Sequence, residues 1–261
     1  MSLASARAPE PYFAHNGVRY HIAYEVETLT NLKQGVVSAR RVQPTVLDAL
    51  RGVPVPSRAF AGLPDDLMDE IDRGALDFAA DLAAEPGLHP PTILPQSFRT
   101  LGGRKGREAL ASHPRLPSSA IRSGVVIEIV DVTRGTPHGR LVELVGLVGQ
   151  LCRGLFVRLQ PVKDCGAPVR GVKLHGVTLD VGDVGGEDAD LAGAILRFGD
   201  DTRGLAPARV IQGLPEPGFL DVAMVAGFNQ AGVRPPADRR QSLYVAEPAR
   251  GPTVRRTSRA S

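Results

Sequence analysis

The chain of 261 residues contains no tryptophan, and aromatic residues make up only 5% of it, so any core it builds must rest on aliphatic side chains. Its two cysteines, Cys152 and Cys165, are too few for a disulfide framework or a four-thiolate metal site, and both read as packing residues. No apolar run approaches the roughly 18 residues that cross a bilayer. The longest, 141–148, is interrupted by Glu143 and Gly146. Residues 1–10 carry an arginine but no apolar stretch of the kind that directs secretion. A soluble protein in a reducing cytoplasm is therefore the expectation, with no membrane span. Neither a Gly-x-Ser-x-Gly nor a His-Glu-x-x-His pattern occurs, which leaves serine-hydrolase and zinc-protease chemistry without support.

Lysine is scarce too: there are four, Lys33, Lys105, Lys163 and Lys173, and arginine supplies the remaining positive charge. The net charge of +3 belongs to one end of the chain. Between Asp238 and Ser261 six arginines (239, 240, 250, 255, 256 and 259) face only Asp238 and Glu247, an excess of four, so the rest is close to −1. That distribution argues against a nucleic-acid surface on the folded body. Residues 236–261 read as a basic tail with too little apolar content to fold, and 1–12 as a flexible start. Composition, with an abundance of Ala, Gly, Pro and Arg, suggests a GC-rich bacterial source.

Between the two ends, 43% hydrophobic and 23% charged residues describe an ordinary globular chain. Residues 20–28 and 36–42 read as strands joined by the turn Asn31-Leu32-Lys33-Gln34-Gly35, an antiparallel hairpin. After a proline-rich loop, 53–64, a helix is predicted over 65–84. Its apolar stripe is Leu67, Ile71, Ala75, Phe78 and Leu82, with Asp65 and Asp66 suited to the first turn and Pro86 ending it. A short extended run at 92–94 and a helical stretch to Ala111, weakened by Gly102 and Gly103, follow. From 125 to 213 strands alternate with helices. The predicted strands are 125–130, with Glu128 in its middle, then 155–159, 169–174 and 208–211. The helical segments are 139–153 and the one carrying Leu191, Ala194, Ile195 and Phe198. A last helix is predicted over 218–232. Strands alternating with helices of this length imply parallel strands and right-handed crossovers, hence an α/β fold whose chemistry sits at the carboxyl ends of the strands. Residues 13–235 thus read as one barrel entered by a hairpin.

The order of these motifs resembles the EAL-domain family, bacterial phosphodiesterases that open cyclic di-GMP with Mg²⁺ or Mn²⁺ inside a modified TIM barrel. Tyr24-Glu25-Val26 falls where that family opens with Tyr-Gln-Pro. Val36-Val37-Ser38-Ala39-Arg40-Arg41-Val42 lies where Glu-Ala-Leu follows a turn, which puts Arg40 on the metal-binding glutamate. Leu94-Pro95-Gln96-Ser97 resembles the Asn-Leu-Ser segment, with Pro95 on the asparagine. Val126-Ile127-Glu128-Ile129-Val130 is similar to the Leu-Glu-Ile-Thr-Glu strand and keeps its first acid as Glu128. Phe156-Val157-Arg158-Leu159 resembles the strand leading to paired aspartates, whose places are held by Gln160 and Pro161. Val172-Lys173-Leu174-His175 looks like the Lys-Ile-Asp strand, with His175 on the aspartate. Val210-Ile211-Gln212-Gly213 is similar to Ala-Glu-Gly, with Gln212 on the glutamate.

The resemblance implies a TIM-like barrel with an antiparallel entry strand and one β/α unit shortened, because residues 160–173 leave little room for a helix. It also implies loss of the metal centre. Hard dications need several carboxylate oxygens, and only Glu128 remains at the matched positions. No cofactor is then expected. The vestigial site comprises Arg40, Glu128, Arg158, Lys173, His175 and Gln212. Glu128 is either a surviving ligand or the partner of Lys173 or an arginine. Lys173 either meets a phosphate or serves as that partner, and His175 reads as a polar interior group. Arg40, Arg41 and Arg158 either cradle an anion or face solvent. The Gly182-Asp183-Val184-Gly185-Gly186-Glu187 loop carries acids that repel phosphate and reads as a helix-capping turn. The expected function is a catalytically inactive regulatory module with a protein partner. The alternatives are a non-hydrolysing receptor for cyclic di-GMP or another anionic ligand and, last, a residual phosphodiesterase.

Overall fold

A computed structural model describes residues 13–15, 18–49, 53–55, 57–86, 89–184, 188–234 and 244–245. The start (1–12) and, except for residues 244 and 245, the tail (236–261) lie outside the described residues, as do Gly185, Gly186 and Glu187 of the 182–187 loop.

The chain opens with a short strand, β1 (Phe13–His15), and a long hairpin of β2 (Val18–Asn31) and β3 (Val36–Asp48). Asn31 makes the turn. Its side-chain oxygen accepts from the amides of Lys33 and Gln34 at 3.0 Å each, and Gly35 takes a φ of 67° that suits a residue without a Cβ. The proline-rich loop contains β4 (Val53–Val55) and a 3₁₀ turn, Ser57–Gly62.

Helix α1 (Asp65–Ala84) has the predicted bounds and buries the predicted stripe. It packs on the outer face of the hairpin. The Tyr24 hydroxyl donates to the Ile71 carbonyl at 2.8 Å, the Tyr24 ring stacks on Phe78, and Ile22, Val42 and Val46 complete the seam. Each such side chain contributes about 1.5–3 kcal/mol when withdrawn from water.

Next come β5 (Thr92–Ser97), α2 (Phe98–Gly102) and α3 (Arg104–Ala111), broken at Gly102 and Gly103 as their low helix propensity predicts. A short helix absent from the sequence reading, α4 (Ser118–Gly124), leads into β6 (Val125–Val132). Then follow α5 (His138–Val148), β7 (Gly154–Leu159), β8 (Gly176–Asp180), α6 (Asp188–Asp201), β9 (Ala208–Leu214), α7 (Phe219–Val225), β10 (Gln230–Val233) and β11 (Tyr244–Val245).

Two sequence assignments change. The run 169–174 is not a strand: it holds the end of a 3₁₀ turn, Ala167–Val169, and a coil in which Gly171 has a φ of 81°. Its apolar residues Val169, Val172 and Leu174, with Cys165, are buried against the barrel wall, covering it where a crossover helix would lie. The strand itself, β8, begins at Gly176. The last helix stops at Val225 because Gly227, at a φ of 82°, closes it: the Phe228 amide reaches the Ala223 carbonyl and the Gly227 amide reaches Met224. The remainder of the predicted helix becomes β10.

That last strand closes the sheet. In the order β2-β10-β9-β8-β7-β6-β5-β3, with β3 paired back to β2, eight strands form a ring. β2 runs antiparallel to β3 and β10, and the other neighbours are parallel. The fold is thus the modified barrel with an antiparallel entry strand and one shortened unit. β11 pairs with Tyr24 and Ala23 of β2. No described helix is long and apolar enough to cross a membrane.

Candidate functional site in the barrel lumen

Alternate residues of each strand face the lumen. Toward the amino ends of the parallel strands these are Leu29, Ala39, Ile93, Val126, Phe156 and Val210, a compact apolar floor. Gly176 is required at this level, since a Cβ there would lie 2.6 Å from the Phe156 ring. One step higher the character changes to Glu27, Arg41, Glu128, Arg158, Thr178, Asp180 and Gln212, all buried.

Arg41 is the hub. Its Nε and Nη2 donate to Glu128 Oε2 at 3.2 and 3.0 Å, and its Nη1 donates to Gln43 Oε1 at 3.1 Å. Asp180 Oδ2 and Glu27 Oε2 lie 3.6 and 3.7 Å from the same guanidinium. The other oxygen of Glu128 accepts from Thr178 Oγ1 at 2.6 Å and Gln212 Nε2 at 2.9 Å. Arg158 Nη1 donates to Asp180 Oδ2 at 3.1 Å, and its Nε lies 3.9 Å from Asp183. Asp180 also accepts from the Gly182 amide, and Glu27 from the Gly213 amide.

Four carboxylates therefore surround two guanidinium groups. Burial alone would push Glu128 upward, but Arg41 and Arg158, helped by Thr178 and Gln212, outweigh it and hold the carboxyl below its usual range. For Glu27 burial wins over Arg41 and the carboxyl is raised. Asp183 is pushed up to about 6 by burial, against the pull of Arg158. Burial opposes the charge on Arg41, but Glu128, Asp180 and Glu27 together hold it more firmly protonated than a free arginine. The result is a mostly satisfied polar network. Glu27 Oε2, Gln212 Oε1 and Asp183 Oδ1 are buried without a hydrogen-bond partner among the described residues.

Of the candidates drawn from the sequence, Glu128, Arg158 and Gln212 converge here. Arg40 does not. It points outward, donating at 2.9 Å to Glu85, the residue that follows α1, and Arg41 takes the inward place. The cause is a bulge at Ser38: Leu29 pairs with Ala39 while Thr30 pairs with Val37, so counting from the turn is wrong by one residue, which exchanges the two faces. Lys173 is exposed, so the counter-charge of Glu128 is Arg41. His175 is exposed as well, just before the amino end of β8, where its Nδ1 accepts from the Leu155 amide at 3.2 Å. β8 runs from Gly176 to Asp180, so Lys173 and His175 both precede it and neither lies on the strand. Glu27, Gln43, Thr178 and Asp180 were not singled out from the sequence. Nor do Arg41 and Arg158 form an anion cradle, since acids occupy both.

The dications of the resemblance do not fit this arrangement, because a guanidinium stands where the carboxylates meet. Among the described residues no group of three or more His, Cys, Asp or Glu is disposed to hold a metal ion.

No protein-family model matches the sequence, and no curated protein matches it. Solved structures do match. The EAL domain of FimX from Pseudomonas aeruginosa, bound to c-di-GMP, aligns with a TM-score of 0.56 and 12% identity over 82% of this chain and 88% of that one. YkuI of Bacillus subtilis, with an EAL domain and in complex with substrate c-di-GMP and calcium, aligns at 0.58 and 13% identity over 81% of this chain and 53% of that one. LapD of Vibrio cholerae, an S helix-GGDEF-EAL protein in apo form, aligns at 0.59 and 10% identity over 82% and 52%. The fold is that of an EAL domain. The chain spans about half the length of the LapD and YkuI structures.

Proposed function

We propose that this protein is an EAL-type regulatory module that does not hydrolyse cyclic di-GMP and acts, in a bacterial cytoplasm, through contact with another protein. The observation that carries this reading is the buried guanidinium of Arg41 among Glu27, Glu128 and Asp180. Hydrolysis in this fold would need that position for dications, which lower the pKa of the attacking water and neutralise the phosphodiester. A fixed positive side chain supplies neither the water nor the open coordination positions. Glu128 and Gln212, at 0% exposure, and Arg41 and Asp180, at 1%, leave a lumen filled by its own side chains.

Incubation of the purified chain with cyclic di-GMP in millimolar Mn²⁺ or Mg²⁺ is expected to release no linear dinucleotide. Turnover that disappears in Glu128→Gln would overturn the proposal. Calorimetry with the same dinucleotide tests the receptor alternative, which is favoured by the c-di-GMP bound in the FimX structure. Absence of heat at high micromolar ligand leaves the protein-contact reading standing, and saturable heat replaces it with the receptor.

A further inference from the structure

We propose that the outer wall of the barrel carries a site for a small amphipathic anion, one carboxylate or phosphate head on an apolar body, in the gap between the 160–173 segment and α6. Neighbouring parallel strands of such a barrel are ordinarily joined by a helix that packs on the wall. Between β7 and β8 the chain supplies only coil and the 3₁₀ turn Ala167–Val169. Cys165, Val169, Val172 and Leu174 cover the wall itself, but a coil is thinner than a helix, and a cavity of about 440 Å³ remains along the flank of α6. That is the size of a small-molecule site, ~300–1,000 Å³.

The cavity has an apolar lining and a fixed edge. Phe198 and Ala194 of α6, 2% and 7% exposed, line it with Pro161, and Val162 beside them is left 46% exposed. The segment is tied to α6: the Asp164 amide donates to Asp201 Oδ2 at 3.0 Å, with Asp164 at a left-handed φ of 57° next to Lys163. Gly166 is pressed so close that a Cβ there would lie 2.7 Å from the Asp201 carbonyl oxygen.

The charges in the lining select the ligand. Asp200 is already paired with Arg203 at 2.7 Å, and Asp201 is occupied by the Asp164 amide. Lys163 and Arg197 also line the cavity, and among the described residues neither has a carboxylate partner. An ammonium and a guanidinium left unpaired next to an apolar surface suit an anionic head, while the body of the ligand withdraws Val162 and the lining from water. The site lies outside the lumen, so it goes beyond the functional reading above and does not depend on it.

The test is calorimetry of the full chain with octanoate at low-millimolar concentration, beside acetate, which lacks the apolar body, and 1-octanol, which lacks the charge. Octanoate is expected to bind saturably, one per chain, and each of the other two at least about tenfold more weakly. Lys163→Glu and Arg197→Glu, both at exposed positions, should each weaken octanoate about tenfold or more, whereas Lys105→Glu on α3 should leave its affinity unchanged. If a charge-reversed chain does not fold, Lys163→Gln or Arg197→Gln is measured in its place. No saturable binding of octanoate overturns the proposal, as does acetate or octanol binding equally well, or an affinity indifferent to the changes at 163 and 197. An equal loss in Lys105→Glu overturns it too, since the anion then answers only to overall charge. Turnover of cyclic di-GMP by the native chain would sink the functional proposal and leave this one standing.

Discussion

Glu128 in the lumen and Asp72 in the seam between α1 and β5 are almost equally withdrawn from water, at 0% and 3% exposure, yet their carboxyl groups move in opposite directions. Glu128 is held below its usual range although burial opposes this, because two arginines face it. Asp72 is pushed up to about 7: burial dominates, and the Thr100 hydroxyl and Ser97 amide only partly offset it. Asp131 and Asp69 nearby push it further the same way. Its two oxygens accept from the Ser97 amide at 3.2 and 2.9 Å, and among the described residues no arginine or lysine pairs with it. Depth in the protein does not decide whether a carboxyl stays charged, and the partner built beside it does.

The strongest way to break this contrast is to remove the lumen's cation. Arg41→Ala is expected to cost about 3–5 kcal/mol in denaturant unfolding, because it strands a buried carboxylate. A loss below about 1 kcal/mol would mean that Glu128 finds another counter-charge.

The seam should respond to pH in the reverse sense. Asp72 has a folded value above its unfolded one, so its contribution is fully present below pH about 4 and is lost as pH rises toward 7. Asp72→Asn removes that loss. The stability of the variant relative to the native protein should therefore climb by about 2–4 kcal/mol between pH 4 and pH 7. A flat difference across that window would show that the seam keeps its carboxyl ionised.

Smaller changes sharpen the picture. Thr178→Val leaves one oxygen of Glu128 with a single donor, at an expected cost of about 1–2 kcal/mol by the same denaturant titration. Arg40→Ala, next to the hub in sequence but on the outer face, breaks a pair with the half-exposed Glu85 and a long bond to the Leu82 carbonyl and should cost about 1 kcal/mol. Equal effects at 40 and 41 would contradict the phase of the strand.

That pair of arginines also marks what the sequence conveyed. Helix α1 was legible to the residue, because its stripe, its acidic first turn and Pro86 agree. The hairpin turn was legible from Asn31 and Gly35. Glu128 stood out as an acid in an apolar strand. Which of Arg40 and Arg41 turns inward was not, since a one-residue bulge leaves no mark in composition. Asp180 was hidden for a different reason. The apolar residues covering the wall at 165–174 look like a strand, whereas β8 is a short run starting with glycine. Gln43 and Glu27 acquire meaning only once the ring is closed.

The ring is sealed by β10, wedged between β9 and β2 and joined to a strand about two hundred positions earlier. A nascent chain leaving the ribosome thus exposes Glu27 and Arg41 long before the final stave arrives, and Asp180 joins them only late in translation. Until Gln230 to Val233 emerge, the ion-paired hub stays open to water on one side, so truncation just short of those four residues should yield an unsealed, aggregation-prone sheet rather than a smaller working barrel.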